Sequence, residues 1–334
     1  RRGILIKGGA HLEQAHRLAV VALDKTGTLT EGRPRLVPTE LLASAFDEAQ
    51  VLGWAAALAG HSDHPVSRAI AEGLGTAASD APHGFTALPG RGVRARLDGR
   101  ELLLGNHRLI EEQARCSEAI EARLAEHEAQ GRTVTMLACD RQVLAIFAVA
   151  DTIRAEAREA IAQLHALGVK SVMLSGDNAL TAATIARQAG IDDARGDLLP
   201  EDKSAAIEAL KQRHGRIAMA GDGINDAPAL AGSDLGLAMG GAGTAIAMEA
   251  ADAGIMNDDL RRIPETLRLS RSTRAVLVQN IAIALGIKAA FLLLAVAGQA
   301  TMWMAVFADM GASLIVVFNG LRLLRTNGMR GAAG

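Results

Sequence analysis

The chain alternates short apolar runs with longer stretches in which apolar residues recur every three or four positions. Each short run predicts a buried strand, and each periodic stretch predicts an amphipathic helix. Strands are predicted at 18–23, 169–174 and 216–220, and helices at 151–167, 180–189 and 203–213. This alternation favours a doubly wound parallel sheet, in which the carboxyl ends of the strands share one edge. Asp24, residues 175–178 and residues 221–226 follow the three strands, so we expect them to meet there.

Residues 32–149 interrupt this alternation and have their own apolar periodicity and turn signals. We therefore predict a second domain inserted into the first, which consists of residues 1–31 and 150–265. The hinges are expected near 31–33 and 149–152.

The pattern changes again near the C-terminus, where residues 273–326 are predicted to form two membrane helices, at about 276–298 and 302–324. Both segments are long enough to cross a bilayer, and each has one ionisable residue in its apolar part, Lys288 or Asp309. Arginines flank the pair on its outer sides, at Arg268, Arg271, Arg274, Arg322, Arg325 and Arg330. The positive-inside rule then puts both outer ends in the cytoplasm. A buried hairpin of a soluble protein is the alternative.

The composition excludes some classes of protein but does not identify the function. The length of 334 residues is sufficient for two soluble domains and an additional segment, and the net charge of −2 argues against a nucleic-acid partner. Cys116 and Cys139 lack the spacing of a metal site and indicate a reducing compartment without a disulfide framework.

The run DKTGTLT at residues 24–30 is the most specific chemical signal in the chain. A carboxylate at the end of a buried strand can attack a phosphoryl group and form an aspartyl phosphate. An aspartate that only caps a loop is the alternative, but seven specified residues argue against it. The run resembles the P-type ATPases, ion pumps that phosphorylate this aspartate from ATP.

The residue two positions after Asp24 separates a pump from a phosphatase. Soluble phosphatases of the same haloacid dehalogenase-like superfamily usually have a second aspartate there, which acts as general acid and base. In this chain the position holds Thr26, so we expect the acyl phosphate to persist. A membrane-anchored phosphatase and a non-catalytic remnant remain the alternatives from other classes.

The resemblance implies roles for the residues at the three strand ends. Asp24 would be the nucleophile and would hold Mg²⁺ together with Asp222 and the backbone carbonyl of Thr26. Ser175 would donate its hydroxyl to the phosphoryl oxygens, and Lys203 would supply positive charge. The remaining residues assigned to the catalytic site are Lys25, Gly176, Asp177, Asn225 and Asp226.

The predicted insertion contains three short motifs in order, SDHP at 62–65, GRG at 90–92 and GN at 105–106. Together they resemble the α+β nucleotide-binding domain of the heavy-metal branch of P-type ATPases. The resemblance implies that ATP is bound by His64, Pro65, Gly90, Gly92, Gly105 and Asn106. Glycines let the backbone approach a nucleotide closely. The branch often has a glutamate five residues before the histidine, where this chain has Ala59.

The two apolar segments resemble the zinc, cadmium and lead exporters. The similarity rests on the runs NI at 280–281, LGIK at 285–288, WMAVFAD at 303–309 and NGLRLL at 319–324. Asp309 would give the transported ion an oxygen ligand, and Lys288 would act as its counter-charge after the ion leaves. A structural ion pair between the two is the alternative. Copper pumps carry Tyr-Asn and a Met with paired Ser in these helices, and are the runner-up.

Two parts of a complete pump are not found in this sequence, an earlier helix with a Cys-Pro-Cys-type site and the Thr-Gly-Glu loop of the actuator domain. We therefore expect a partial pump that binds ATP and Mg²⁺ but does not transport Zn²⁺, Cd²⁺ or Pb²⁺ alone. Its expected partners are the bilayer, the metal ion, the actuator domain and the preceding helices. The phosphorylation and nucleotide domains would lie in the cytoplasm.

Overall fold

The structure is a computed structural model of the chain and describes residues 3–37, 39–42, 45–75, 81–113, 116–222, 224–240, 245–299 and 301–326. Gly223 and the flanking Arg330 lie outside the described residues. The chain divides into two compact units, which are described separately. The first contains residues 1–7 and 18–263, and the second contains residues 8–17 and 264–334.

The described strands belong to two sheets, and all of them lie in the first unit. In chain order the strands are β1 (Ile4–Ile6), β2 (Val20–Asp24), β3 (Arg35–Leu36), β4 (Glu40–Leu41), β5 (His83–Leu88), β6 (Gly92–Leu97), β7 (Arg100–Gly105), β8 (Thr133–Cys139), β9 (Gln142–Ala150), β10 (Lys170–Leu174), β11 (Asp193–Arg195), β12 (Ile217–Gly221), β13 (Leu235–Met239) and β14 (Ala253–Ile255).

The described helices follow the predicted alternation, with small shifts at their ends. In chain order they are α1 (Gly9–Gln14), α2 (Glu48–Gly60), α3 (Pro65–Leu74), α4 (His107–Gln113), α5 (Glu118–Ala129), α6 (Ala157–Ala166), α7 (Ala179–Ala189), α8 (Pro200–His214), α9 (Ala227–Gly232), α10 (Ala245–Ala250), α11 (Arg262–Val296) and α12 (Met302–Thr326). The helix predicted at 151–167 begins late, at Ala157, because residues 151–154 pair with the loop after β2.

The first sheet has the strand order β1-β14-β13-β12-β2-β10-β11 and is parallel except for β1. From β2 the chain continues to β10 and β11 on one side, and to β12, β13 and β14 on the other. The strand order therefore reverses at β2, which is where open α/β sheets bind their ligands. Every residue of β2 is buried, as expected for a parallel strand covered on both faces.

The second sheet is antiparallel, with the order β3-β9-β8-β7-β6-β5 and with β4 also on β9. Trp54, Leu58 and Phe147 belong to the core between one face and helices α2 and α3. Ile110 and Leu124 belong to a second core that includes residues of α4 and α5. This sheet lies within the predicted insertion except for Ala150, the last residue of β9, but both sheets share one compact unit, so the domain boundaries stay a prediction.

Helices α11 and α12 are long and apolar enough to cross a membrane, with mean hydropathies of 2.0 and 1.7 over their most apolar parts. Those parts are almost entirely exposed, which favours the membrane prediction over a buried soluble hairpin. Helix α11 begins at Arg262, well before the predicted 276. Pro264 does not prevent this early start, because it falls in the first turn, where proline is tolerated. The Asn319 side chain donates to Asn280 Oδ1 at 2.8 Å and joins the two helices.

Candidate active site

Asp24 is the last residue of β2 and lies at the reversal point of the first sheet. It is aligned with Leu174 of β10, so Ser175 emerges beside it at the same edge. The Asp24 carboxylate is buried and accepts a hydrogen bond of 2.5 Å from Lys203 Nζ. The same ammonium group donates to Asp226 Oδ1 at 2.7 Å. The first turn of α8 therefore delivers a buried lysine to the carboxylate predicted as the nucleophile.

Three carboxylates meet at this edge, from Asp24, Asp222 and Asp226, with ligand oxygens within 4.8 Å of one another. Burial, followed by the charge of Asp226, raises the pKa of Asp24 to about 7 and that of Asp222 to about 6. The Lys203 ammonium can neutralise one of the three negative charges. The residues therefore fit a hard divalent cation such as Mg²⁺, which prefers oxygen ligands.

Gly27 gives Asp222 the space it occupies. Its φ is +71°, and a Cβ there would lie 1.7 Å from Asp222 Oδ2. We predict that Gly27→Ala displaces the Asp222 carboxylate and weakens Mg²⁺ binding at least 10-fold, measured by Mg²⁺-dependent thermal shift.

Gly99→Ala is the matched control for this substitution. Its φ is +74°, but nothing lies within 4 Å of the added Cβ, so it tests the backbone strain of about 1–2 kcal/mol alone. Equal Mg²⁺ affinity in the two variants would contradict the steric argument.

Lys25 and Asp177 form a buried ion pair beside this cluster. The Thr133 hydroxyl, at the start of β8, donates to Asp177 Oδ1 at 3.1 Å and lies 3.4 Å from Lys25 Nζ. Burial alone would raise the pKa of Asp177, but Lys25, Thr133 and Ser175 outweigh it and lower that pKa. Sequence reasoning missed Thr133, because nothing local to β8 indicates that it reaches the other sheet.

Arg154 is a second residue that the sequence did not reveal. Its guanidinium donates to the carbonyls of Thr28 and Gly27, both at 3.0 Å, and so holds the loop after Asp24. Nearby, the Thr30 hydroxyl is 2.5 Å from Asp151 Oδ2. Residues 151–154 were assigned to a helix, although the polar Asp151 and Arg154 at the predicted hinge were a usable signal.

The other predicted catalytic residues have fewer side-chain contacts in this structure than Asp24 and Lys203. The Ser175 hydroxyl is buried and accepts a hydrogen bond from the backbone N–H of Asp177 at 3.1 Å. Gly176 and Asn225 are exposed, and Thr26 is half-buried. Within the described part of the chain, the Thr26 and Asn225 side chains have no hydrogen bond in this structure.

The predicted glycine motifs of the insertion are brought together on β6 and β7. Gly92 pairs with Gly105 across these strands, and a Cβ on Gly92 would lie 2.3 Å from the Leu104 carbonyl oxygen. The Asn106 side chain donates to the Gly90 carbonyl at 2.9 Å and accepts from the backbone N–H of Leu109 at 3.1 Å. The GRG and GN motifs therefore form one loop structure.

His64 caps helix α3, where Pro65 is the first residue, and its Nδ1 accepts a hydrogen bond from the Val66 N–H at 3.3 Å. The ring keeps contact with solvent, yet desolvation is the largest of the effects that lower its pKa. The charges of Asp177 and Lys25 also act on it in opposite directions, so both residues lie near enough to His64 to influence its protonation. Among the described residues, no hydrogen bond joins His64 to the glycine loop.

The surroundings of Ala59 account for the missing glutamate at this position. Its side chain is fully buried in the core that contains Trp54 and Phe147. A glutamate at this position would place a carboxylate in that core, at a cost of several kcal/mol. Any adenine contact expected from position 59 must come from another residue.

Lys288 and Asp309 lie on α11 and α12 and both side chains are exposed. Both residues are described, and the structure holds no ion pair between them, which was the structural alternative to a transport role. Apolar residues of both helices, including Ile287, Phe291, Ala308 and Gly311, line a pocket between them. The roles of Lys288 and Asp309 in ion transport stay predictions.

Comparison with known proteins gives three kinds of match. Residues 18–234 match the haloacid dehalogenase-like hydrolases. The zinc/cadmium/lead-transporting P-type ATPase of Escherichia coli is 43% identical over 330 residues, covering 97% of this chain and 43% of that protein. The copper-exporting P-type ATPase of Bacillus subtilis is 42% identical over 323 residues, covering 96% and 40%.

A crystal structure of a zinc-transporting PIB-type ATPase in its E2.Pi state superimposes with a TM-score of 0.69 and 42% identity. The match covers 97% of this chain and 53% of that one. The chain spans less than half the length of the curated relatives it matches.

Proposed function

The chain belongs to the haloacid dehalogenase-like hydrolases, and from this premise we propose that it is the catalytic part of a heavy-metal-exporting P-type ATPase. The predicted resemblance to the C-terminal portion of these pumps is confirmed by the relatives, and the predicted fold class by the two sheets and the two terminal helices. ATP hydrolysis and transport are proposed for the whole pump, of which this chain is a part.

The observation that carries the proposal is the buried contact between Asp24 and Lys203 at the reversal point of the sheet. In the proposed step, an Asp24 carboxylate oxygen attacks the γ-phosphorus of ATP. The bond to the bridging oxygen breaks, and ADP leaves with its electron pair. Burial and the charge of Asp226 raise the pKa of Asp24 to about 7, and the Lys203 charge opposes this rise and favours the ionised nucleophile.

Mg²⁺ would be held by Asp24, Asp222 and the Thr26 carbonyl, where it would neutralise charge on the transferred phosphoryl group. Asp226 already accepts from Lys203, so we assign it to orienting that lysine. Ser175, at the end of β10, is the proposed hydroxyl donor to the phosphoryl oxygens.

Residues of the second sheet would bring the nucleotide to this edge. His64 lies near enough to Lys25 and Asp177 for their charges to act on it. The Gly90 loop approaches the start of α8 so closely that a Cβ on Gly90 would be 2.8 Å from Leu199 Cδ2. We propose that the glycine loop and His64 bind the adenine side of ATP. Lys25 and Asp177, held by Thr133, would position the phosphates.

Thr26 favours a pump over a phosphatase. Thr26 has no carboxylate to activate water, so this position does not promote hydrolysis of the acyl phosphate. The actuator loop of the complete pump would supply the group that activates water. In the same complete protein, Asp309 would bind the transported ion, and the Lys288 ammonium would pair with Asp309 after the ion leaves. Zinc-dependent phosphorylation of that protein should therefore disappear in Asp309→Asn.

The experiment that tests the proposal is phosphorylation of this chain from γ-labelled ATP with Mg²⁺, followed by acid quench. We expect a label that survives acid, is removed by hydroxylamine and persists after unlabelled ATP is added. Rapid, sustained release of phosphate from small phosphate esters would instead identify a phosphatase. Binding of ATP with no label at any Mg²⁺ concentration would contradict phosphorylation by this part alone.

A further inference from the structure

A second group of metal-binding side chains lies in the part of the chain that carries the second sheet. His107, Cys116 and Glu121 each offer one ligand atom, and these atoms lie within 4.8 Å of one another. The His107 Nε2 atom is 3.8 Å from the Cys116 Sγ atom. His107 opens α4, Cys116 precedes α5, and Glu121 lies in the first turn of α5. None of the three takes part in the phosphorylation site.

The ligand types select the kind of ion. Zn²⁺ takes imidazole nitrogen and thiolate sulfur in tetrahedral sites, and thiolates also favour softer ions. Bond lengths of about 2.0–2.3 Å put tetrahedral ligand atoms roughly 3.3–3.8 Å apart, so the separation of the His107 and Cys116 atoms already fits. The exposed Glu121 carboxylate needs only a side-chain rotation to complete three ligands. Mg²⁺ and Ca²⁺ are disfavoured because they require oxygen ligands.

The negative charge of the glutamates around His107 and Cys116 also favours binding of a cation. Glu111 and Glu121 act on the Cys116 thiol, and the buried Glu128 lies close enough to His107 for their charges to interact. Within the described residues, none of these three glutamates forms an ion pair.

We propose that His107, Cys116 and Glu121 form a binding site for a soft divalent cation, Zn²⁺ or Cd²⁺, with water as the remaining ligand. None of its ligands belongs to the predicted membrane helices or to the Asp24 cluster. It adjoins the glycine loop, because His107 directly follows Asn106, whose side chain joins Gly90 to the start of α4. The wide sequence spacing of the ligands hid this site, since Cys116 belongs to no short metal-binding motif.

The test measures alkylation of Cys116 in the full chain with excess Mg²⁺, with and without Zn²⁺ or Cd²⁺. Cys139 is buried in β8 and provides an internal reference for unfolding. We expect either metal to slow Cys116 alkylation at least 10-fold, and Cd²⁺ to produce a thiolate charge-transfer band in the ultraviolet. His107→Gln and Glu121→Gln should each weaken metal binding at least 10-fold, whereas Cys139→Ser should bind as the unmodified chain does.

Alkylation of the unmodified chain with and without metal tests the proposed site even if a variant fails to fold. Alkylation of Cys116 at the same rate with and without metal would overturn the proposal. Full protection in a folded His107→Gln variant would also overturn it, because the thiol would then bind metal without the imidazole.

Discussion

Asp24→Asn is expected to abolish the phosphorylated form of the chain and to leave the fold intact. The amide oxygen of asparagine is a poor nucleophile, so the labelling rate should fall by at least about 10³-fold. The substitution also removes one of three clustered negative charges, whose mutual repulsion contributes to the raised pKa of Asp24. We therefore expect no decrease in Tm, and ATP should still bind. Acid-quenched labelling with γ-labelled ATP and a thermal melt measure the two effects.

Asp193→Asn is the matched control, since Asp193 is an exposed aspartate on β11 of the same sheet. It should be labelled at the rate of the unmodified chain. If Asp24→Asn were labelled at that rate too, the nucleophile would be another carboxylate, and the assignment of Asp24 would be wrong.

Lys203→Met is expected to produce the largest loss of stability among single substitutions at this site. The lysine ammonium is buried between Asp24 and Asp226, and methionine fills similar space without a charge. Removing one partner of a buried ion pair typically costs about 3–5 kcal/mol, because the remaining carboxylates stay buried without compensation. Phosphorylation should also be lost. Denaturant unfolding at neutral pH and acid-quenched labelling measure these effects.

The pKa of Lys203 determines how its contribution to stability changes with pH. Burial by itself would lower the pKa of Lys203, but Asp24 and Asp226 outweigh burial and raise it. The contribution of the raised Lys203 pKa is therefore present at neutral pH and is lost when alkaline pH deprotonates the lysine, whereas acidification weakens the pair with Asp24 by protonating that carboxylate, whose pKa is about 7. Mg²⁺ should restore part of the stability lost in Lys203→Met, because it binds the same carboxylates.

Lys170→Met provides the control for this substitution, because Lys170 is an exposed lysine at the start of β10. Its unfolding free energy should change by no more than about 0.5 kcal/mol. Equal losses of stability in the two variants would mean that the buried ion pairs contribute nothing beyond the lysine side chain itself.

Several features of this protein were fixed locally and could be predicted from the sequence alone. Asp24, Ser175 and Asp222 each follow a buried apolar run, and the carboxyl ends of parallel strands must share an edge. The two terminal helices were equally evident, because their length and apolar composition do not depend on distant residues. The glycine motifs were recognisable through their resemblance to those of a known family, and the positive φ angles of Gly90 and Gly92 require glycine at those two positions.

Only the tertiary structure decided which side chains meet across long stretches of sequence. Arg154 holds the loop after Asp24, and Thr133 bridges the two sheets through Asp177. The same holds for the cluster of His107 with Cys116 and for the absence of an ion pair between Lys288 and Asp309. Such contacts depend on how separate elements pack, and packing is set by the whole core rather than by the local pattern of residues.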